Sequence, residues 1–356
     1  MLSGLERLRL FLRPPGKGIY TVSTGGGYAA TLLKVLYGSS DPVNVQNHWE
    51  EALSKVRRAQ FLLFGIPSDT GAGILRGSNF GPIGIREAYL HKYGLYPKTV
   101  VDLGDVVVVP QLLHDAMLNE AQIDAVRAEL YPGVTTALPV SALSITEAVV
   151  EVLTELNPTA RILVLGGDHS VSGPVLNALK KKHGKDLGIL HFDAHTDLMP
   201  TRIGVKYSFA TWAYHAHLGL KPQALVQVGI RTSARTKEQW MRELAVTQVW
   251  ANEVEGRESE VTQSVLKHFE KIGIKQLYIS NDIDGTDMSY APATGTPEAG
   301  GLKPLFVNAL MDAVLKKFNI VGADIVEVAP PLSGAREFSE DKTAVIAAGY
   351  LKTLLG

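Results

Sequence analysis

Cysteine is absent from the 356 residues. That removes disulfides, thiolate metal sites and cysteine nucleophiles together, so any metal must be held by His, Asp, Glu or backbone oxygen. A surplus of charge of one sign is missing too: 35 Lys and Arg stand against 36 Asp and Glu, a formal net charge of −1. A general nucleic-acid binder needs excess cations to displace counterions from phosphates, and an acidic disordered chain needs the opposite imbalance; the composition argues against both. No run of 18 uninterrupted apolar residues occurs, so no membrane span is expected. The opening MLSGLERLRLFLRPPGKG lacks the continuous apolar stretch and small-residue cleavage site of a secretory signal. It reads as a short amphipathic helix ending near Pro14-Pro15, with a transit peptide as the other reading, and the expected compartment is the cytoplasm. No fixed-period repeat or low-complexity tract is visible.

Hydrophobic residues make up 46% of the chain, enough for a sizeable core. They gather in short runs at 61–64, 100–103, 162–165, 187–190, 225–228, 277–279 and 325–328. Such runs suit strands buried on both faces of a parallel sheet. Between them, 141–156, 172–182, 236–244, 258–272 and 304–318 place apolar residues at three- and four-residue spacing, and Asn157-Pro158 ends the first of these. The alternation predicts an open α/β sheet with helices on both faces. Residues 1–55 fit this scheme poorly and are set apart as an N-terminal extension to a catalytic domain over 56–356. Their Gly25-Gly26-Gly27 lacks the lysine and hydroxyl of a phosphate-binding loop and reads as a flexible turn.

In such sheets ligands sit at the carboxyl ends of the strands, and three strand ends carry chemistry. Gly166-Gly167-Asp168-His169-Ser170 follows the run at 162–165. His191-Phe192-Asp193-Ala194-His195-Thr196-Asp197 follows that at 187–190. Ser280-Asn281-Asp282-Ile283-Asp284 follows that at 277–279. Alternate side chains of extended backbone share a face, so Asp193, His195 and Asp197 point one way, as do Asp282 and Asp284. With His169 they offer four carboxylates and two imidazoles. Carboxylates about 4 Å apart repel by several kcal/mol at a protein site's effective dielectric, so a cation must neutralise them or some must be protonated. Six ligands are too many for one tetrahedral zinc and suit two metals sharing bridging carboxylates. Oxygen-rich coordination with some imidazole favours Mn²⁺ over zinc or copper.

These three strings resemble the metal motifs of the ureohydrolase family, which includes arginases and agmatinases. Further matches are Gly65-Ile66-Pro67, Arg76-Gly77, Phe80-Gly81-Pro82, Asp102-Leu103-Gly104-Asp105, Gly229-Ile230-Arg231, Ala293-Thr294-Gly295-Thr296-Pro297 and Asp324–Pro330, over roughly residues 58–352. The resemblance implies a single-domain, three-layer α/β/α fold with a mainly parallel sheet, and two Mn²⁺ ions, with nickel as another option. It implies that one ion takes His169, Asp193, Asp197 and Asp282, and the other His195, Asp193, Asp282 and Asp284. It further implies that a hydroxide held between them attacks a guanidinium carbon, that Asp197 orients it and moves its proton, that Glu327 pairs with the guanidinium nitrogens, and that Thr296 lies at the substrate. Homo-oligomers, trimers or hexamers, are implied as well.

The chain departs from the family in places. Where arginases and agmatinases carry a proton-shuttling histidine, Tyr207-Ser208-Phe209-Ala210-Thr211-Trp212 presents Phe209, which exchanges no protons. His215 or His217 could substitute, or both are ordinary helix residues. The loop 198–206 is unlike the Asn- and Ser-rich loop that holds an α-amino acid, which disfavours L-arginine. Its Arg202 and Lys206 could meet a substrate carboxylate, or are solvated loop cations. Asn281 replaces an apolar or small residue, with a hydrogen bond to a ligand as its expected role. The leading expectation is agmatinase-like hydrolysis of a small guanidino substrate, releasing urea and an amine. Formimidoylglutamase-like hydrolysis of a formimino substrate, releasing formamide, and a metal-binding member without activity are the alternatives.

Overall fold

The computed structural model describes residues 2–20 and 29–356; the Gly25–Gly27 run lies outside them. The described residues form one sheet of nine strands: β1 (Leu12–Arg13), β2 (Phe61–Gly65), β3 (Val100–Val106), β4 (Arg161–Leu165), β5 (Leu187–Phe192), β6 (Leu225–Ile230), β7 (Thr247–Trp250), β8 (Gln276–Asp282) and β9 (Asn319–Val326). Their order is β1-β3-β2-β4-β9-β8-β5-β6-β7. All neighbours are parallel except β1, which runs antiparallel to β3. β5 and β6 are buried along their whole length, as strands covered on both faces must be. The helices that cover them carry the expected spacing. Ala142–Leu156 buries Leu143, Ile145, Val149, Val150, Val152 and Leu153 and stops at Asn157, whose amide bonds the carbonyls of Val56 and Ala59 at 2.8 and 2.9 Å. Each of those buried side chains contributes about 1.5–3 kcal/mol by leaving water.

Three differences from the sequence expectation have physical causes. The last strand ends at Val326 rather than running to 328, because Glu327 takes a left-handed backbone with φ +62°. β7 is only four residues long and half-buried, too short to stand out as a run. The helices Pro42–Ser54, Glu120–Leu130 and Lys342–Leu355 carry too few regularly spaced apolar residues, or too many, to show a stripe.

The N-terminal extension is fused into the same core. Ser3 and Glu6 form a capping box that starts the helix Gly4–Phe11, and Leu8, Phe11 and Leu12 are buried with Trp49 and Leu53 of Pro42–Ser54. Trp49 Nε1 donates to the Leu103 carbonyl at 2.8 Å, and the Gly16 amide to Asp105 Oδ2 at 2.6 Å. Asp105 and Asp102 in turn hold the fully buried Arg86 by bonds of 2.6–2.9 Å. Among the described residues no helix is long and apolar enough to cross a membrane.

Candidate metal centre

β4, β9, β8 and β5 are neighbours at the middle of the sheet, and their carboxyl ends supply the candidate residues. After β4 the chain must turn hard against residue 68. A Cβ on Gly167 would stand 1.7 Å from the Ser68 carbonyl oxygen, so only glycine fits. Asp168 then caps a short turn by accepting from the Ser170 amide, and His169 is thrust into the sheet's end, fully buried. Asp193, His195 and Asp197 follow β5, while Asp282 ends β8 and accepts from the Asp284 amide at 2.9 Å.

The structure brings the six predicted ligands together. His169 Nδ1 lies 2.9 Å from Asp282 Oδ2 and 3.4 Å from both Asp193 Oδ2 and Asp197 Oδ2. His195 Nδ1 lies 3.1 Å from Asp284 Oδ2 and 3.5 Å from Asp193 Oδ1. Asp193 therefore shows one oxygen to each imidazole. Ligand atoms around an ion with bonds of about 2.1 Å are separated by roughly 3 Å, which these spacings match.

The His169 ring also has its proton assigned by its neighbours. Ser280 Oγ donates to Asp324 Oδ1 at 2.8 Å and so accepts from His169 Nε2 at 2.9 Å; the other Asp324 oxygen accepts from Tyr278 at 2.7 Å. This leaves Nδ1 as a bare lone pair, buried, without a hydrogen bond among the described residues and facing three carboxylates. Only a cation or an added proton makes that arrangement favourable. The donor set thus fits divalent metal.

Without metal, protons take its place. Burial, then the neighbouring carboxylates, hold Asp197, Asp282 and Glu327 well above the ordinary carboxylate range. Burial lowers both imidazoles, but the flanking aspartates win, lifting His169 well up and His195 up to about 12. Asp193 is held low, its burial outweighed by the histidines around it. Every raised group binds more protons folded than unfolded, so its contribution falls as pH climbs from its unfolded value, near 4 for carboxylates and 6.5 for histidine, through its folded one. Chelator-stripped protein is therefore expected to lose thermal stability steadily from about pH 5 to 9. Adding Mn²⁺ should raise the melting temperature most at the alkaline end, because bound metal displaces those protons. Scanning calorimetry with and without EDTA checks this; a stripped protein that gains stability with pH contradicts it.

Two of the candidate carboxylates sit on unusual backbone. Asp197 has φ +51° and Glu327 φ +62°. Left-handed conformations are uncommon outside glycine and collect at functional sites. Trp212 Nε1 holds Asp197 Oδ2 at 2.8 Å while its ring stacks on His169, 4.4 Å between centroids. Glu327 Oε1 accepts the His169 amide at 2.8 Å, and a Cβ on Gly295 would stand 3.8 Å from Oε2.

Beside the cluster a cavity of about 740 Å³ is lined by His195, Asp197, Thr296, Gly295, Met199, Pro200, Arg202 and Phe209, among others. Thr296 Oγ1 donates to Asp284 Oδ2 at 2.9 Å. The Arg202 guanidinium lies 4.9 Å over the Phe209 ring. Lys206 is elsewhere, lining a second cavity of about 370 Å³ with His114 and Tyr207. His215 and His217 bond the carbonyls of Pro200 and Leu244 and do not line the first cavity. Asn281 is buried on the strand face opposite Asp282, and neither amide atom has a partner among the described residues, so the expected bond to a ligand is not made.

Sequence reasoning left His191, Gln227, Trp212 and Asp324 without a role. His191 had a signal: it stands two residues before Asp193, on the same face of β5. The other three come from separate segments, and no local spacing marks them.

A parallel sheet that gathers imidazoles and carboxylates at the carboxyl ends of its central strands defines an α/β/α protein with a strand-end metal centre. Residues 59–356 match the family model of the Arginase family, and the chain belongs to that family. It is 34% identical over 313 residues to the human "Guanidino acid hydrolase, mitochondrial", spanning 82% of this chain and 76% of that protein. It is 31% identical to the Pseudomonas aeruginosa guanidinobutyrase, with 82% and 84% covered. Among solved structures it is similar to the proclavaminate amidino hydrolase of Streptomyces clavuligerus, with TM-score 0.65, 27% identity, and 83% and 90% of the two chains covered.

Proposed function

We propose that this chain is a binuclear-metal hydrolase that cleaves the C–N bond of a linear guanidino compound and releases urea. The observation that carries this is Asp193 turned between two imidazoles, with Asp197, Asp282 and Asp284 completing the ring. His169, Asp193, Asp197 and Asp282 would hold one ion, and His195, Asp193, Asp282 and Asp284 the other, with manganese as the native metal. A divalent pair there supplies hydroxide near neutral pH and neutralises the carboxylates.

The chain's own groups do the rest. Glu327 Oε1 is occupied by the His169 amide, which leaves Oε2 to accept from a guanidinium N–H beneath Gly295. Asp197, with Oδ2 fixed by Trp212, keeps Oδ1 to take the nucleophile's proton and pass it to the departing nitrogen. Thr296 fixes Asp284 at the cavity wall. Trimers or hexamers are the proposed assembly, read by light scattering.

The tail of the substrate is the finer reading. The cavity's surface is mostly apolar, and Arg202 there has no carboxylate partner among the described residues, whereas Arg235 is paired with Glu243. An unpaired guanidinium repels the ammonium of agmatine and meets the carboxylate of a guanidino acid such as 4-guanidinobutyrate. The guanidino acid hydrolase and guanidinobutyrase relatives support this reading. Lys206, in its separate cavity, takes no part. Urea and formamide release should be assayed with Mn²⁺ across 4-guanidinobutyrate, agmatine, arginine and formimidoylglutamate. Urea from the guanidino acid is expected to lead; formamide alone overturns the reading. Arg202→Ala should raise KM for 4-guanidinobutyrate about tenfold, the lower end for a charge-assisted bond because the residue is exposed, and lower that for agmatine, whose ammonium it no longer repels. Equal loss on both substrates would remove Arg202 from tail recognition.

A further inference from the structure

His191, Gln227 and Gln248 occupy one rung of the sheet, side by side in the register of β5, β6 and β7. All three are buried. A row of hydrogen bonds runs along this rung. Trp250 Nε1 donates to Gln248 Oε1 at 3.0 Å, Gln248 Nε2 to Gln227 Oε1 at 2.8 Å, and Gln227 Nε2 to His191 Nδ1 at 3.0 Å. His191 Nε2 then meets Asp193 Oδ2 at 2.7 Å.

The direction of the row is forced from its outer end. An indole N–H can only donate. It fixes Gln248 Oε1 as an acceptor, which points the Gln248 nitrogen at Gln227 and turns the Gln227 nitrogen toward His191. A second contact agrees: Gln227 Nε2 also donates to the Thr196 carbonyl, 2.7 Å away. With Nδ1 accepting, the His191 proton sits on Nε2 and is given to Asp193. His191 lies within ligand distance of His169 and Asp193, yet both of its nitrogens are engaged, so it is no metal ligand.

We infer that Trp250, Gln248, Gln227 and His191 form a relay that orients the His191 ring, its proton on Nε2 between the Gln227 donor and the Asp193 carboxylate, and thereby holds Asp193 with one oxygen toward each imidazole. They are positioning residues, and the inference rests on the metal-pair reading above. A histidine that donates to a ligating carboxylate acts as an outer partner, the kind whose loss weakens metal binding about 10- to 100-fold.

Gln227→Met keeps the volume and removes the row's middle link. Trp250→Phe, at a half-buried position, removes the donor that sets its direction and tests the same idea should the buried change fail to fold. Two readouts separate positioning from mere packing. One is the ¹⁵N spectrum of histidine-labelled, chelator-stripped protein, with the His191 signals identified by their loss in His191→Gln. The other is Mn²⁺ affinity by titration calorimetry. Wild type is expected to show Nε2–H at His191. In Gln227→Met the Asp193 carboxylate still keeps the proton on Nε2, but Nδ1 loses its donor, so the His191 Nδ1 signal should leave its wild-type position and Mn²⁺ should bind about 10- to 100-fold more weakly; Trp250→Phe should move both readouts the same way. A folded Gln227→Met or, failing that, Trp250→Phe with wild-type His191 signals and affinity overturns the relay alone. Wild type that takes up no Mn²⁺ overturns the metal-pair reading and the relay with it.

Discussion

Asp193→Asn is expected to reduce bound Mn²⁺ below two per chain and to lower kcat/KM for urea release by at least roughly 10³-fold, beyond the ~10–100-fold typical of losing an outer partner. Each Asp193 oxygen has two duties. Oδ1 accepts the His195 amide at 2.6 Å and faces that ring, while Oδ2 accepts from His191 and faces His169. An amide keeps one oxygen and sets an NH₂ against either a donating ring or a donating amide, so neither orientation serves both sides. Metal content by plasma emission, measured beside urea release, checks this. Two ions per chain with near-normal turnover would remove Asp193 from the bridge.

Glu327→Gln is the second large effect, and it should leave the metals in place. The glutamine oxygen can still accept the His169 amide, so the local turn survives. What is lost is the charge that pairs with a guanidinium in a buried site, an interaction whose truncation costs about 2–5 kcal/mol. That corresponds to roughly 30- to several-thousand-fold in kcat/KM. Because neutral glutamine resembles the protonated acid that burial favours at this position, the metal-free variant should be no less stable than its parent near neutral pH. Normal Mn²⁺ content with normal kcat/KM would take Glu327 away from the substrate.

Much of this was legible in the chain because strand ends are local in sequence. The aspartates and histidine after β5 are two residues apart, and extended backbone converts that spacing into a shared face. The same holds for Asp282 and Asp284. The double glycine before His169 signals a tight turn, and the Ser68 carbonyl shows why it must be one. What stayed hidden depends on which strands become neighbours. β9 is the last strand in sequence yet lies between β4 and β8, which is what puts Glu327 against His169 and Asp324 behind Ser280. Likewise Gln227 and Gln248 read as polar interruptions in apolar runs until β5, β6 and β7 stand in register. Lys206 and Arg202 looked equivalent four residues apart, but the turn between them, with Ile203 at φ +52° and Gly204 at φ +77°, delivers them to different cavities.

The short antiparallel β1 has a consequence for anyone preparing fragments. It covers the flank of β3 at one border of the sheet, and the helices on either side of it lay Leu8, Phe11 and Trp49 over the same flank. Trimming the chain at residue 59, where the match to the family model starts, would uncover a row of backbone donors and acceptors beside a fresh oily surface. An open strand border of that kind recruits others like itself, so the shortened polypeptide would stack into aggregates although every candidate ligand remained.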